Sequence, residues 1–172
     1  MKVIPLVLVV MLGLTAASVQ AQTVTDAQIA SIVVTANQVD IDAGTLAASK
    51  ASKEDVKKFA QQMVTDHTGV NKQATELVTK LNVTPQDNPT SQSLKMGGEK
   101  NVTHLKTLSG AAFDKAYIDQ EVTYHEAVLK AVDTTLIPNA QNAELKALLV
   151  KVRPAFVAHL EHAKALQSSL AK

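Results

Sequence analysis

The chain has 172 residues, no cysteine, and 17 lysines and arginines against 16 aspartates and glutamates. Near-neutrality gives no support to binding of nucleic acid or attraction to anionic lipid, and without cysteine a disulfide-stapled scaffold is excluded, so stability has to come from a buried apolar core. Aromatic residues make up only 3% of the chain while Ala, Leu, Lys and Gln are plentiful, which favours helix over sheet.

The first residues read as an export signal: Lys2, an apolar run from Val3 to Leu14, then small and polar residues ending in Val19-Gln20-Ala21. Cleavage is expected after Ala21, which makes residues 1–21 a signal peptide and 22–172 the mature chain. The apolar run is broken by Pro5 and Gly13 and falls short of the ~20 residues of a membrane-spanning helix. No later stretch approaches that length, so no transmembrane segment is expected after cleavage and the periplasm is the expected compartment. The remaining length suits a single domain.

Four main helices follow from the periodicity. The first, over 26–49, carries Ile29, Val33, Ala36, Asp40, Ala43 and Ala47 on one face. Ser52-Lys53-Glu54-Asp55 resembles a capping box and opens the second, over 53–83, with Val56, Ala60, Met63, His67, Val70, Ala74, Leu77 and Leu81 in register. Between 84 and 110 the pattern weakens around Pro85, Pro89, Gly97, Gly98 and Ser109-Gly110; it reads as a long connection with room for a short helix from Leu94 to Leu108. The third helix, over 111–134, places Ile118, Glu121, His125, Val128 and Val132 on one side, and Pro138-Asn139 is the expected turn. The fourth, over 141–170, runs through Leu145, Leu149, Val152, Phe156, His159, Ala163, Leu166 and Leu170, with a kink expected at Pro154. Two helical hairpins joined by a long connection predict a ferritin-like four-helix bundle; the alternative is an up-down-up-down bundle in which Leu94 to Leu108 extends the third helix.

Polar residues on the inward faces carry the chemistry. His67, His125 and His159 fall on the stripes of three different helices and Asp40 on the remaining one, while Glu121 sits one turn before His125. Unpartnered polar groups in a core cost about 1 to 3 kcal/mol each, so these residues must meet partners. Imidazoles with carboxylates form a donor set for zinc, copper, iron or nickel rather than calcium or magnesium. Alternatively the histidines bond to Asp40, Glu121, Tyr117 or Tyr124 and only fix the register of the bundle. Axial height argues against convergence: counted from the hairpin turns, Asp40 and His67 differ by about six residues, ~9 Å, and His125 and His159 by about nine. His104 reads as a solvated loop histidine and His162 as a surface residue or outer ligand. Asp66, off the face of His67, reads as an acceptor for a neighbouring helix, with Arg153 one candidate partner. Ala158-His159-Leu160-Glu161-His162 is not the His-Glu-x-x-His of zinc proteases, and no phosphate loop or nucleophile elbow is present, so no catalytic residue is assigned.

The run Phe59-Ala60-Gln61-Gln62-Met63-Val64-Thr65-Asp66-His67, then Phe113-Asp114-Lys115-Ala116-Tyr117-Ile118 with His125, then Pro154 with His159-Leu160, resembles the bacterial domain-of-unknown-function 4142 family. The resemblance covers 26–170 and implies an exported protein with a ferritin-like helical fold and no assigned activity. Its motif positions correspond to Asp66, His67, Tyr117, His125 and His159. A di-iron carboxylate centre is not expected, because Val64, Val122 and Phe156 stand three residues before the histidines where such centres carry Glu. The expectation is therefore a non-catalytic periplasmic bundle that binds a transition metal, zinc, copper or iron, through His67, His125 and His159 with Asp40 or Glu121, in metal handling or envelope stress. Its competitor is a structural bundle whose exposed faces contact another envelope protein; an enzyme comes third.

Overall fold

The computed structural model describes residues 24–171, so the signal peptide expected at 1–21 lies outside the described residues. Among them are five long helices and no strand. Helix α1 (Asp26–Lys50) starts at Thr25, whose hydroxyl accepts from Gln28 N while the Gln28 side chain accepts from Thr25 N, a reciprocal cap. Helix α2 (Glu54–Lys80) has no side-chain cap of its own, so the box expected from Ser52 does not form. Asp114 takes its place from across the molecule, accepting from Ser52 N at 2.8 Å and Lys53 N at 2.9 Å. A buried carboxylate at a helix N-terminus satisfies orphan donors and opposes the helix dipole.

Residues 84–110 differ most from the sequence reading. In place of a loop with a short helix from Leu94, a 19-residue helix α3 (Pro89–Thr107) starts five residues earlier than that. Asn88 accepts from Thr90 N and Ser91 N, and Ser91 Oγ accepts from Asn88 N. Pro89 occupies the first turn, where its missing donor costs nothing, so the proline starts this helix. Gly98 does not break it either, because it lies against α1: a Cβ there would stand 2.7 Å from a methyl of Val39. Helix α4 (Gly110–Ala131) is separate from α3, since Leu108 is extended and Gly110 adopts φ +57°, the left-handed region open to glycine. It continues through a π-helical turn, Val132–Leu136, and a short turn, Ile137–Asn139. The reversal expected at Pro138-Asn139 therefore falls later, at Ala140 to Asn142. Asn142 caps α5 (Ala143–Leu170), accepting from Glu144 N and Leu145 N, and this helix runs unbroken through Pro154.

Contacts at the ends fix the directions. Asn88 Nδ2 donates to Gln28 O and Lys50 Nζ to Lys106 O, so α1 and α3 run the same way. Asp26 accepts from Gln141 N and Asn142 N, which places the start of α5 beside the start of α1. Asp114, near the start of α4, meets the residues after α1. Helices α1, α3 and α5 therefore run in one direction and α2 and α4 in the other, with α3 returning the chain from the end of α2 to the start of α4. Helix α1 packs on α2 and α3, α4 on α5, and α2 on α5. Phe59, Met63, Phe113, Ile118 and Leu149 fill the apolar core. In its middle lies a polar layer.

Candidate metal centre

That layer is made of Asp40 from α1, His67 from α2, Glu121 and His125 from α4 and His159 from α5, each at most 3% exposed. All five residues singled out in the sequence come together. The Nε2 of His67 is 3.3 Å from Asp40 Oδ2, and the Nδ1 of His125 is 3.4 Å from Glu121 Oε2. The rings of His67, His125 and His159 lie 5.3 to 5.7 Å apart, centroid to centroid. One ring nitrogen from each of these three histidines, and likewise one donor atom each from Asp40, Glu121 and His125, lie within 4.8 Å of one another. The height differences counted from the sequence dissolve for two reasons. The α1–α2 turn is short, Ala51 to Lys53, so Asp40 and His67 lie about 12 and 15 residues from Ser52, an offset of only ~4.5 Å. The helical continuation of α4 past Pro138 moves the other turn towards Gln141, which brings His125 level with His159.

The hydrogen bonds fix the state of each imidazole. Asn37 Nδ2 donates to Val33 O, which turns Asn37 Oδ1 towards His67 Nδ1 at 2.7 Å. His67 Nδ1 therefore carries the proton. His125 Nδ1 donates to the backbone oxygen of Glu121 at 3.0 Å, and His159 Nε2 donates to Asp66 Oδ2 at 2.9 Å. In every case the second nitrogen bears a lone pair, and in every case it is buried without a partner: His67 Nε2, His125 Nε2 and His159 Nδ1. Glu121 Oε2 and Tyr117 Oη are buried and unpartnered beside them. One nitrogen anchored to an oxygen and the other left free is the arrangement of metal-binding histidines.

Electrostatics follow from burial. It pushes the Glu121 carboxyl up to about 8. Burial, then repulsion from Glu121, holds Asp40 well above the usual carboxylate range. Burial, then the neighbouring His125 and His159, holds His67 far below 6.5, and burial takes His125 down to about 4. His159 is lowered by burial, with the Asp66 carboxylate acting the other way. The protein alone thus resists charge of either sign here, and a cation would relieve the acids while using the imidazole lone pairs.

Two contributors were hidden from the sequence reading or only half seen. Asn37 was missed, although it lies one turn before Asp40 on the same inward face. Asp66 is an acceptor for a neighbouring helix as expected, but its partner is His159; Arg153 pairs instead with Asp133 at 2.6 Å. Tyr117 is buried beside Glu121, while the Tyr124 hydroxyl donates to Ala36 O. His104 is exposed but on a helix, α3, and His162 is exposed with its ring edge-on to Phe59 at 5.1 Å. Neither joins the centre.

The donor set of three imidazoles and two carboxylates fits zinc, copper, iron or nickel and not an all-oxygen ion such as calcium. It lacks the paired Glu-x-x-His of di-iron bundles. Neither a curated protein nor a solved structure matches the chain. No helix among the described residues is long and apolar enough to cross a membrane. Residues 13–166 match the family described as a domain of unknown function, DUF4142, and over that span, nearly the whole sequence, the chain belongs to it.

Proposed function

We propose that the protein binds a transition-metal ion inside a ferritin-like bundle of α1, α2, α4 and α5, with α3 as the crossover, and that it is exported to the periplasm to handle that metal. His67, His125 and His159 supply nitrogens and Asp40 and Glu121 oxygens. The observation that carries the reading is that three buried histidines, each with one ring nitrogen that lacks a hydrogen-bond partner, bring donor atoms within 4.8 Å of one another, and that His125 does the same with Asp40 and Glu121. A purely structural polar core accounts for the contacts to Asn37, Glu121 O and Asp66. It leaves the lone pairs of His125 Nε2 and His159 Nδ1 orphaned, at about 1 to 3 kcal/mol per buried unsatisfied group, with His67 Nε2 facing only Asp40 Oδ2 at 3.3 Å, and an ion removes that cost.

Elemental analysis of protein prepared from the periplasm without chelator tests the reading. The expected result is stoichiometric transition metal in the native protein and loss of it in His125→Leu, the residue common to both donor groups. Equal metal content in native and variant protein, or none in either, overturns it. Processing after Ala21 is read in the same preparation from the mass of the exported chain.

A further inference from the structure

A cavity of about 150 Å³ opens beside the centre, between α1, α4 and α5 and beneath the start of α3. Its body is apolar, formed by Ile32, Val128, Val132, Leu136, Leu149 and Val152. Asn37, Asp40 and His67 line it on the side of the centre, with the half-buried Tyr124, whose hydroxyl donates to Ala36 O; Thr90, also in the lining, is exposed. A cavity of about this volume accepts a benzene-sized molecule. Val132 and Leu136 belong to the π-helical turn, and such turns are frequent at functional sites. The interruption thus falls on the wall of this cavity.

We propose that the cavity binds a small neutral molecule with an apolar body and a single hydroxyl, of the size of phenol, with the hydroxyl at Asp40 and His67. Volume excludes fatty chains and nucleotides. The apolar wall and the Asp40 carboxyl exclude anions, which would lose their hydration with no cation side chain to replace it. The hydroxyl follows from the polar part of the lining, Asp40 and His67, which stand 3.3 Å apart, Oδ2 to Nε2. The assignment rests on the metal reading only for what else the hydroxyl oxygen meets; the apolar seat is present without an ion.

The mature protein, metal-free and cobalt-loaded, is titrated with 4-fluorophenol, fluorobenzene and 4-fluorobenzoate and followed by fluorine NMR. Saturable binding of 4-fluorophenol is expected in both forms, and in the metal-free form, where His67 and Asp40 are not ligating, about tenfold tighter than fluorobenzene, the factor of roughly one net hydrogen bond. 4-Fluorobenzoate should not bind. Val132→Phe, which fills the seat, should abolish binding and keep the metal; Ala131→Leu, on the half-buried rim, does the same with less demand on the core. Absence of saturable binding in both forms, or unchanged binding in both filled variants, overturns the proposal, and equal affinity for 4-fluorophenol and fluorobenzene overturns the hydroxyl assignment. A protein that takes up no cobalt yet binds 4-fluorophenol in a Val132-dependent way sinks the metal reading and supports the cavity. A change in the cobalt absorption spectrum on adding 4-fluorophenol supports both.

Discussion

Individual side chains at the centre hold one another in place, and their variants separate binding from packing. His67→Leu removes a donor atom, so metal content should fall, but it also strips Asn37 Oδ1 of its 2.7 Å partner deep in the core. The metal-free variant should therefore lose about 1 to 3 kcal/mol of stability, the cost of one buried unsatisfied acceptor. Replacing both residues, Asn37→Leu with His67→Leu, removes both polar groups and should recover most of that loss without recovering the metal. Denaturant unfolding of the two variants in chelator checks this; a double variant less stable than the single one would mean that Asn37 is held for another reason. Asp66 acts through His159, whose Nδ1 it aims inward by accepting from Nε2. Because Asp66 is 41% exposed in its side chain, Asp66→Ala should hardly affect stability, yet it should weaken metal binding by about 10- to 100-fold, the usual effect of losing a ligand's anchoring partner. Competition with a chromophoric chelator measures that affinity. An unchanged value would show that His159 is not a ligand.

Helix α3 shows how a backbone element is decided by its neighbours. Gly97 and Gly98 are adjacent, but a Cβ on Gly97 meets nothing within 4 Å, whereas one on Gly98 runs into Val39. Gly97→Ala should therefore stabilise the protein by about 0.5 to 1 kcal/mol through helix propensity, and Gly98→Ala should destabilise it by about 1 to 3 kcal/mol by forcing α3 off α1. Thermal melts of the pair check the sign at each position, and two variants shifted the same way would mean that α3 does not sit on α1 here. The same element marks where the sequence was legible. Helices α1, α2 and α5 show long apolar stripes, and their inward positions, Asp40, His67 and His159 included, were readable from spacing alone. Residues 84–110 are not, because by local pattern prolines and glycines break a helix. Pro89 in fact starts the helix and Gly98 permits a close approach, and both depend on contacts with α1 that local pattern does not encode. The centre was legible as a set of residues but not as a point in space. Its convergence depends on the short turn after Lys50 and on α4 continuing past Pro138, and a proline at the first turn of a helical segment looks the same in sequence as one that ends it.

For the whole molecule, the charge state of the centre sets how stability varies with pH. In the metal-free fold the three imidazoles titrate below their ordinary 6.5. In acid the unfolded chain then binds more protons than the folded one, so stability is lost as pH falls below about 6.5. The carboxyls are displaced the other way, Glu121 from 4.5 to about 8 and Asp40 upward as well. Above their ordinary range the folded chain keeps protons that the unfolded chain has released, so their contribution is lost as pH rises towards about 8. Between 4.5 and 6.5 the two trends oppose each other, whereas below 4.5 only the imidazole trend remains and above 6.5 only the carboxyl trend. The metal-free protein should therefore be most stable between about pH 4.5 and 6.5 and weaken on both sides. An ion changes the sides unequally. It takes the place of the protons on Asp40 and Glu121, so the alkaline decline should vanish, while protons competing for the imidazoles make the acid decline steeper. Thermal melts at about pH 4, 6 and 8.5, with chelator and with added metal, read both limbs. Glu121→Gln, which cannot release a proton, should flatten the alkaline limb of the metal-free protein and bind metal more weakly. If the metal-free native protein and Glu121→Gln instead decline equally between about pH 6 and 8.5, the Glu121 carboxyl is not the group that holds the proton.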